Sequence, residues 1–158
     1  MGHMATSRQG HDLGILLALA YQRFVEELRA ELSAAGVGGL GRSDGYVFRA
    51  LDERPLTVSD LAVRLGISKQ GAAQIVADME GRGLVVRRRD PDDGRARLLE
   101  LTEAGRTALA TARRFHRTFE RRLVRELGAE PVAGLVATLE HVAGEETLRD
   151  PRIRALYL

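Results

Sequence analysis

The sequence predicts a mainly α-helical protein with one small β-hairpin. Within its 158 residues, apolar side chains recur at helical spacing near both ends of the chain. Between these ends, two short helical patterns are separated by a glycine and followed by a hairpin pattern rich in Arg, Asp, Pro and Gly. A chain of this length favours one domain, so we expect a small central lobe flanked by long helices.

The central lobe begins with two helices joined by a tight turn. Leu61, Ala62 and Leu65 form the apolar face of the first helix. Gly66 is the small residue that a sharp turn between helices requires, and Ser68 fits the N-cap of the second helix because its hydroxyl accepts a backbone hydrogen bond. The second helix points four apolar residues inward at i, i+3, i+4 and i+7: Ala72, Ile75, Val76 and Met79.

The opposite face of the second helix carries side chains suited to DNA. It holds Lys69, Gln70, Ala73, Gln74 and Ala77. A glutamine amide pairs with N6 and N7 of adenine in the major groove, whereas Lys69 and the Ser68 cap suit a phosphate. The same residues are also typical of an ordinary solvated helix face, so the DNA interpretation depends on the hairpin that follows.

The hairpin is strongly basic. Short apolar stretches at residues 84–86 and 96–101 predict its two strands. We expect residues 87–95 between them to form the turn, because Pro and Gly lie there. Residues 82–97 contain six Arg and three Asp, so the local charge is +3, against +2 for the whole chain.

The hairpin tip places a cation beside a bracing carboxylate. Arg95 would project from the tip, where the negative potential of a minor groove favours a guanidinium. Asp93 would be unfavourable beside phosphate, so we expect it to brace the hairpin by bonding the backbone or an arginine. Asp90 and Asp92 fit ordinary turn chemistry.

These motifs together resemble one known family. From Ser43 to Gly105, the segments LAVRLGIS, DPDDGRARLLELT and LTEAG are similar to the MarR (multiple antibiotic resistance regulator) family of winged helix-turn-helix transcriptional regulators. The resemblance implies a homodimer on double-stranded DNA. Each subunit would insert a recognition helix, residues 68–82, into the major groove and a wing, residues 87–97, into the minor groove.

The resemblance and the residue chemistry together give a set of expected DNA-binding positions. They are Ser68, Lys69, Gln70, Ala73, Gln74, Arg87, Arg89, Asp93, Arg95 and Arg97. Gly71 and Ala73 stand where relatives often carry Thr or Ser, so fewer side chains remain to read bases. Base specificity would then depend on Gln70, Gln74 and DNA shape.

Long apolar stripes flank the lobe. Asp12 and Thr102 are candidate N-caps for the flanking helices. The stripes exceed what a small lobe covers, so we expect part of this surface, and the apolar tail PRIRALYL, to meet a second copy of the chain; a core-only interpretation is the alternative. The expected boundaries are a disordered tag remnant at 1–10, one domain at 11–158, a winged lobe at about 43–101, and dimerisation helices at about 12–35 and 102–158.

Several classes of protein are disfavoured by the sequence. There is no Cys, which excludes disulfides and thiol sensing, and no apolar run reaches the ~18 to 20 residues of a membrane span. His11, His116 and His141 lack metal-site spacing, and no catalytic or nucleotide-binding signature occurs. We expect a cytoplasmic protein that is not an enzyme and that has no metal or cofactor.

Three functions remain open from the sequence. The favoured one is a dimeric repressor that a small aromatic or amphipathic ligand releases from a palindromic operator. The alternatives are a DNA-binding regulator without an effector and a winged-helix module that binds protein. The resemblance places an effector among the first helix, the helix at residues 43–53 and the helix from Thr102, where the candidate contacts are Tyr21, Phe24, Tyr46, Arg49 and Phe115, with Phe48 and Arg42 nearby.

Overall fold

The computed structural model describes residues 12–41 and 43–149, with the backbone alone at residues 148 and 149. Its elements are α1 Leu13–Ala34, α2 Asp44–Glu53, α3 Val58–Leu65, α4 Lys69–Gly81, β1 Val85–Arg89, β2 Arg97–Leu101, α5 Glu103–Leu127, α6 Ala129–Ala143 and α7 Glu145–Arg149. The expected tag remnant, Arg42 and the tail PRIRALYL lie outside the described residues. The predicted fold class, helices with a two-stranded hairpin wing, is confirmed.

The caps of the helix-turn-helix follow the sequence closely. The Thr57 hydroxyl and the Asp60 carboxylate form a capping box at the start of α3. Gly66 ends α3 at φ 64°, in the left-handed region that favours glycine. The Ser68 hydroxyl then accepts a 3.0 Å hydrogen bond from the Gly71 N–H and caps α4, as predicted.

The wing is longer in strand and shorter in turn than expected. β1 and β2 pair antiparallel from Val85 opposite Leu101 to Arg89 opposite Arg97. Residues 87–89 therefore belong to a strand, which corrects their assignment to the turn. The ladder uses backbone groups, so arginines extend it readily when their side chains remain in solvent. Leu56 adds a bridge on the other side of Leu99, whose side chain is fully buried.

The hydrophobic core lies inside the central lobe. α2 contributes Val47, Phe48 and Leu51, which pack with residues of every other element of the lobe. The fully buried large apolar side chains of those other elements are Leu56, Leu61, Val76, Met79 and Leu99. One continuous core therefore joins α2, α3, α4 and the wing, and it extends to Leu32 of α1 and Leu109 of α5.

A tight junction connects the wing to α5. The Thr102 hydroxyl caps α5 by accepting from the Gly105 N–H at 3.1 Å, and it donates to the Gly83 carbonyl at 2.6 Å. A Cβ at Gly105 would lie 2.2 Å from the Leu84 carbonyl oxygen. Only glycine fits here, because any side chain would push α5 away from the start of β1.

The flanking helices are only partly covered. Inside the subunit, α1 meets α5 where Phe24 packs edge-on against Phe115 and Phe119, with centroids 5.2 and 5.0 Å apart. Beyond this contact, large apolar side chains of α1, α5 and α6 are exposed: Leu13, Ile15, Leu16, Leu17, Leu19, Leu127, Leu135, Val136, Leu139 and Val142. Among the described residues, no helix is both long and apolar enough to cross a membrane.

Candidate nucleic-acid interface

The recognition helix α4 presents one polar face to solvent. Ala72, Val76 and Met79 are buried against the core, which fixes the rotation of the helix. That rotation leaves Ser68, Lys69, Gln70 and Gln74 exposed. Ala73 is half-buried, so it lies at the edge of the outer face on which the sequence placed it.

The wing tip is held by its own aspartates. The Asp93 carboxylate accepts a 3.0 Å hydrogen bond from the Arg95 N–H, and the Asp93 carbonyl accepts one from Ala96 at 2.9 Å. Asp90 accepts from the Asp92 N–H at 2.9 Å in an Asx turn. Asp93 thus braces the backbone at the base of Arg95, the geometry expected from the sequence.

The six arginines of the basic run fall into two groups. Arg82, Arg87 and Arg88 are engaged within the lobe: Arg87 bonds Glu80 of α4 at 3.0 Å, and Arg88 pairs with Glu100 at 3.1 Å. Arg89, Arg95 and Arg97 are exposed and have no carboxylate partner in the described part of the chain. Only three of the six arginines are therefore available to a phosphate among the described residues.

Arg82, which belongs to the basic run in the sequence, is paired inside the lobe. It lies at the C-terminal end of α4, where its guanidinium forms a fork with the Asp44 carboxylate at 2.6 and 2.9 Å. Hydrogen bonds to Asp44 first, and also to Asp78, raise its pKa above the ordinary range for arginine. Asp44 is buried and precedes Arg82 by 38 positions, so no local pattern pointed to this pair.

The expected effector residues are only partly brought together. Phe24 and Phe115 are in ring contact, and Tyr46 and Arg49 are half-buried on α2. Tyr21 is 70% exposed, so it does not line an interior cleft in this subunit. Burial, followed by the charge of Arg113, lowers the pKa of Arg49 from its ordinary value.

A histidine joins this cluster that the sequence did not assign to it. The His116 ring lies 5.2 Å from the Phe24 ring and 6.1 Å from the Phe115 ring. Burial, and to a lesser extent the charge of Arg49, lowers its pKa below the usual histidine value. The available signal was helical spacing: His116 precedes Phe119 by three positions, so both rings can meet the same partner helix, α1.

Comparison with known proteins identifies the family. A family model described as MarR family matches residues 38–96. The transcriptional repressor CouR, solved bound to a 23-mer DNA duplex, is 30% identical and the alignment covers 90% of this chain and all of CouR, with a TM-score of 0.58. The S. aureus MepR–DNA complex has the same fold at 18% identity and TM-score 0.66, covering 80% of this chain and 92% of MepR.

Curated relatives match over shorter segments. An uncharacterized HTH-type transcriptional regulator, YdgJ of Bacillus subtilis (strain 168), is 28% identical over 75 residues, 48% of this chain and 46% of the relative. An uncharacterized Mycobacterium tuberculosis protein is 41% identical over 59 residues, 37% of this chain and 41% of the relative. The chain spans less than half the length of these curated relatives.

The CouR alignment covers 90% of this chain at 30% identity, and the family model covers most of the lobe. The chain therefore belongs to the MarR family of winged helix-turn-helix transcriptional regulators.

Proposed function

We propose that this protein is a homodimeric, sequence-specific DNA-binding repressor that acts in the cytoplasm on a palindromic operator. One observation carries the proposal: a solvent-facing polar helix surface and a braced wing with unpaired arginines belong to one rigid lobe. The likeness to CouR, a repressor solved bound to a 23-mer DNA duplex, extends over 90% of this chain and supports the proposal.

The recognition helix supplies the base-reading groups. Gln70 and Gln74 lie one turn apart on the exposed face of α4, close to its N-terminus. Their amides offer the donor and acceptor pair that adenine presents in the major groove. Lys69 and the positive end of the α4 dipole would hold the phosphate beside these bases.

The wing supplies a second contact on the neighbouring groove. Arg95 is exposed above a tip that Asp93 holds rigid, so its guanidinium reaches a minor groove without first ordering the loop. Arg89 and Arg97 occupy opposite positions of the strand pair and suit the flanking phosphates. Arg87 forms an ion pair with Glu80, so it links the wing to the recognition helix.

The exposed apolar faces support dimerisation. α1 and α6 leave contiguous leucines and valines uncovered, and a second copy of the same faces is their simplest complementary partner. A two-fold dimer would read two half-sites about one helical turn, ~10 bp, apart.

An effector is proposed where α1, α2 and α5 meet. Solved structures of the same fold include MepR bound to ethidium bromide and a heme sensor protein, PefR, in complex with heme. In this chain Phe24 packs against Phe115 and Phe119 where α1 meets α5. A small aromatic ligand would have to displace Phe24, with Tyr46 and Arg49 at hand to contact its ring and a carboxylate.

The packed Phe24 cluster also favours a second candidate, a DNA-binding regulator with no effector. Fluorescence anisotropy on duplexes from the protein's own genome tests both candidates. We expect steeply salt-dependent binding that an aromatic carboxylate releases. Binding that no ligand changes would favour the second candidate, and no salt-dependent binding would leave a protein-interaction module.

Substitutions on α4 separate base reading from phosphate contact. Gln70→Ala and Gln74→Ala should relax the sequence preference selected from a random duplex library, because an amide reads bases. Lys69→Ala should weaken all duplexes nearly equally and flatten the salt dependence. An unaltered selected motif in both glutamine variants would show that bases are read elsewhere.

A further inference from the structure

Arg82 connects two parts of the chain that have different proposed roles. It follows α4, the recognition helix, and it contacts the loop that leaves α1. Its guanidinium donates to the Gly39 carbonyl of that loop at 3.3 Å and to the Asp44 carboxylate. Asp44 in turn accepts from the Gly41 N–H at 2.7 Å. The loop after α1 and the end of α4 are thus clamped through one side chain.

All the hydrogen-bond donors of the Arg82 guanidinium are in use in this clamp. An arginine has five N–H donors, and the contacts of Arg82 use each of them: two reach Asp44, two reach Asp78 and one reaches Gly39. The Asp44 side chain is 3% exposed and that of Arg82 is 26% exposed. Arg82 therefore has no donor left for a phosphate, although it lies in the basic run next to the wing.

Stability alone does not account for this arrangement. Burying an ion pair costs solvation that the attraction only partly returns, and apolar replacements of similar volume are often as stable. A planar, bidentate pair of a guanidinium and a carboxylate does, however, fix the distance and the angle between the two segments that carry them. The geometry at Arg82 is accordingly suited to setting where α4 lies relative to the loop after α1 and the start of α2.

We propose that Arg82, through Asp44 and the Gly39 carbonyl, is the positioning residue that sets which operator half-site spacing the dimer accepts. The inference rests on the proposed function, since α1 belongs to the dimerisation region and α4 to the DNA-reading region. α4 is about 20 Å long at 1.5 Å per residue, so a small change of angle at its C-terminal end displaces its base-reading end.

The test uses the full-length protein and a double substitution. Asp44→Leu with Arg82→Met removes both charges together, so that neither is left buried alone. The probes are duplexes carrying two half-sites at the spacing found by footprinting, about one helical turn, and one or two base pairs shorter or longer. Wild-type protein should prefer one spacing, and the double variant should lose that preference about fivefold or more.

Two further variants keep the test decisive. Arg82→Lys retains a positive charge without the planar fork, and it should show an intermediate loss of spacing preference while affinity for a single half-site stays within about twofold. Arg64→Gln breaks the ion pair between Arg64 and Glu53, which lies inside the lobe and away from the loop after α1. This control should keep the wild-type spacing preference.

The outcomes distinguish a failure of this inference from a failure of the proposed function. If the folded, dimeric double variant and Arg82→Lys both keep the wild-type spacing preference, the positioning role is overturned while DNA binding stands. If wild-type protein binds no duplex, the proposed function fails and the inference fails with it. Should the double variant not fold, Arg82→Lys alone decides.

Discussion

The central lobe and the flanking helices use apolar residues in different ways. In the lobe, α2, α3, α4 and the wing bury most of their large apolar side chains in a single core, although Val63 of α3 is exposed. In α1 and α6, by contrast, most leucines and valines remain exposed, and Leu32 and Val132 are the buried exceptions. The lobe covers most of its own apolar side chains, whereas the flanking helices carry apolar side chains typical of a core but leave them uncovered.

This difference assigns a separate task to each region. In the proposed function, the lobe holds the base-reading and groove-contacting groups at fixed relative positions. An uncovered apolar face provides affinity for another molecule, which in the proposed function is a second subunit. The variants below disturb one region at a time and show whether the other responds.

The largest effect is expected from a charge on an exposed apolar face. Leu139→Arg in α6 should raise the dimer dissociation constant by at least about 30-fold, because a buried interface charge costs about 2 to 5 kcal/mol. The matched control is Val63→Arg, since Val63 is 83% exposed but lies on α3 of the lobe. Sedimentation should show monomers for the first and dimers for the second; two dimers would contradict the assignment of the face.

The junction of the wing with α5 is expected to be next in sensitivity. Gly105→Ala should lower the free energy of unfolding by about 3 kcal/mol, because the new Cβ would lie 2.2 Å from a backbone oxygen. Gly45→Ala is the control, as its Cβ would meet nothing within 4 Å, and it should be neutral or up to about 1 kcal/mol more stable. Equal urea midpoints for both variants would disprove the close approach.

A smaller effect is expected at the wing tip. Arg95→Ala should weaken operator binding by about 1 to 3 kcal/mol through the loss of a charged groove contact. Arg88→Ala removes an arginine that already pairs with Glu100, so it should weaken binding less. Anisotropy with one cognate duplex ranks the two, and the reverse ranking would move the DNA contact from the tip to the strand.

The smallest effect concerns pH and the contact of α1 with α5. Because the folded-state pKa of His116 lies below its unfolded value, the unfolded chain binds the proton more readily. The stability that this site contributes is complete above the unfolded pKa and is lost as pH falls toward the folded one. His116→Phe should flatten the decline of the urea midpoint between about pH 7 and pH 5. An unchanged slope would show that His116 does not drive the decline.

The sequence was most informative where one local rule decides the structure. Ser68, Thr102 and Gly66 acted as expected because caps and turns depend on neighbours within four residues. It was least informative where partners are distant. Nothing near Arg82 signals that Asp44, on another helix, will occupy its guanidinium. Counting charges therefore overestimated the free positive surface, since Arg87 and Arg88 also have partners in the folded lobe.

The wing shows a second limit of local patterns. Arg87 to Arg89 were predicted to belong to the turn because Pro and Gly follow them closely, yet the pairing of Arg87 with Leu99 makes them strand residues. Strand length depends on the backbone partner, which a single strand's composition does not reveal. Apolar periodicity also located the exposed faces of α1 and α6 without distinguishing core from interface.

Footprinting of the full-length protein across its genome tests the central claim most directly. A dimer of rigid lobes predicts protected sites with two inverted half-sites whose centres lie about one helical turn, ~10 bp, apart. It also predicts that protection weakens steeply as salt rises. Protection of single, unpaired half-sites, or no salt-dependent protection at any site, would contradict the account.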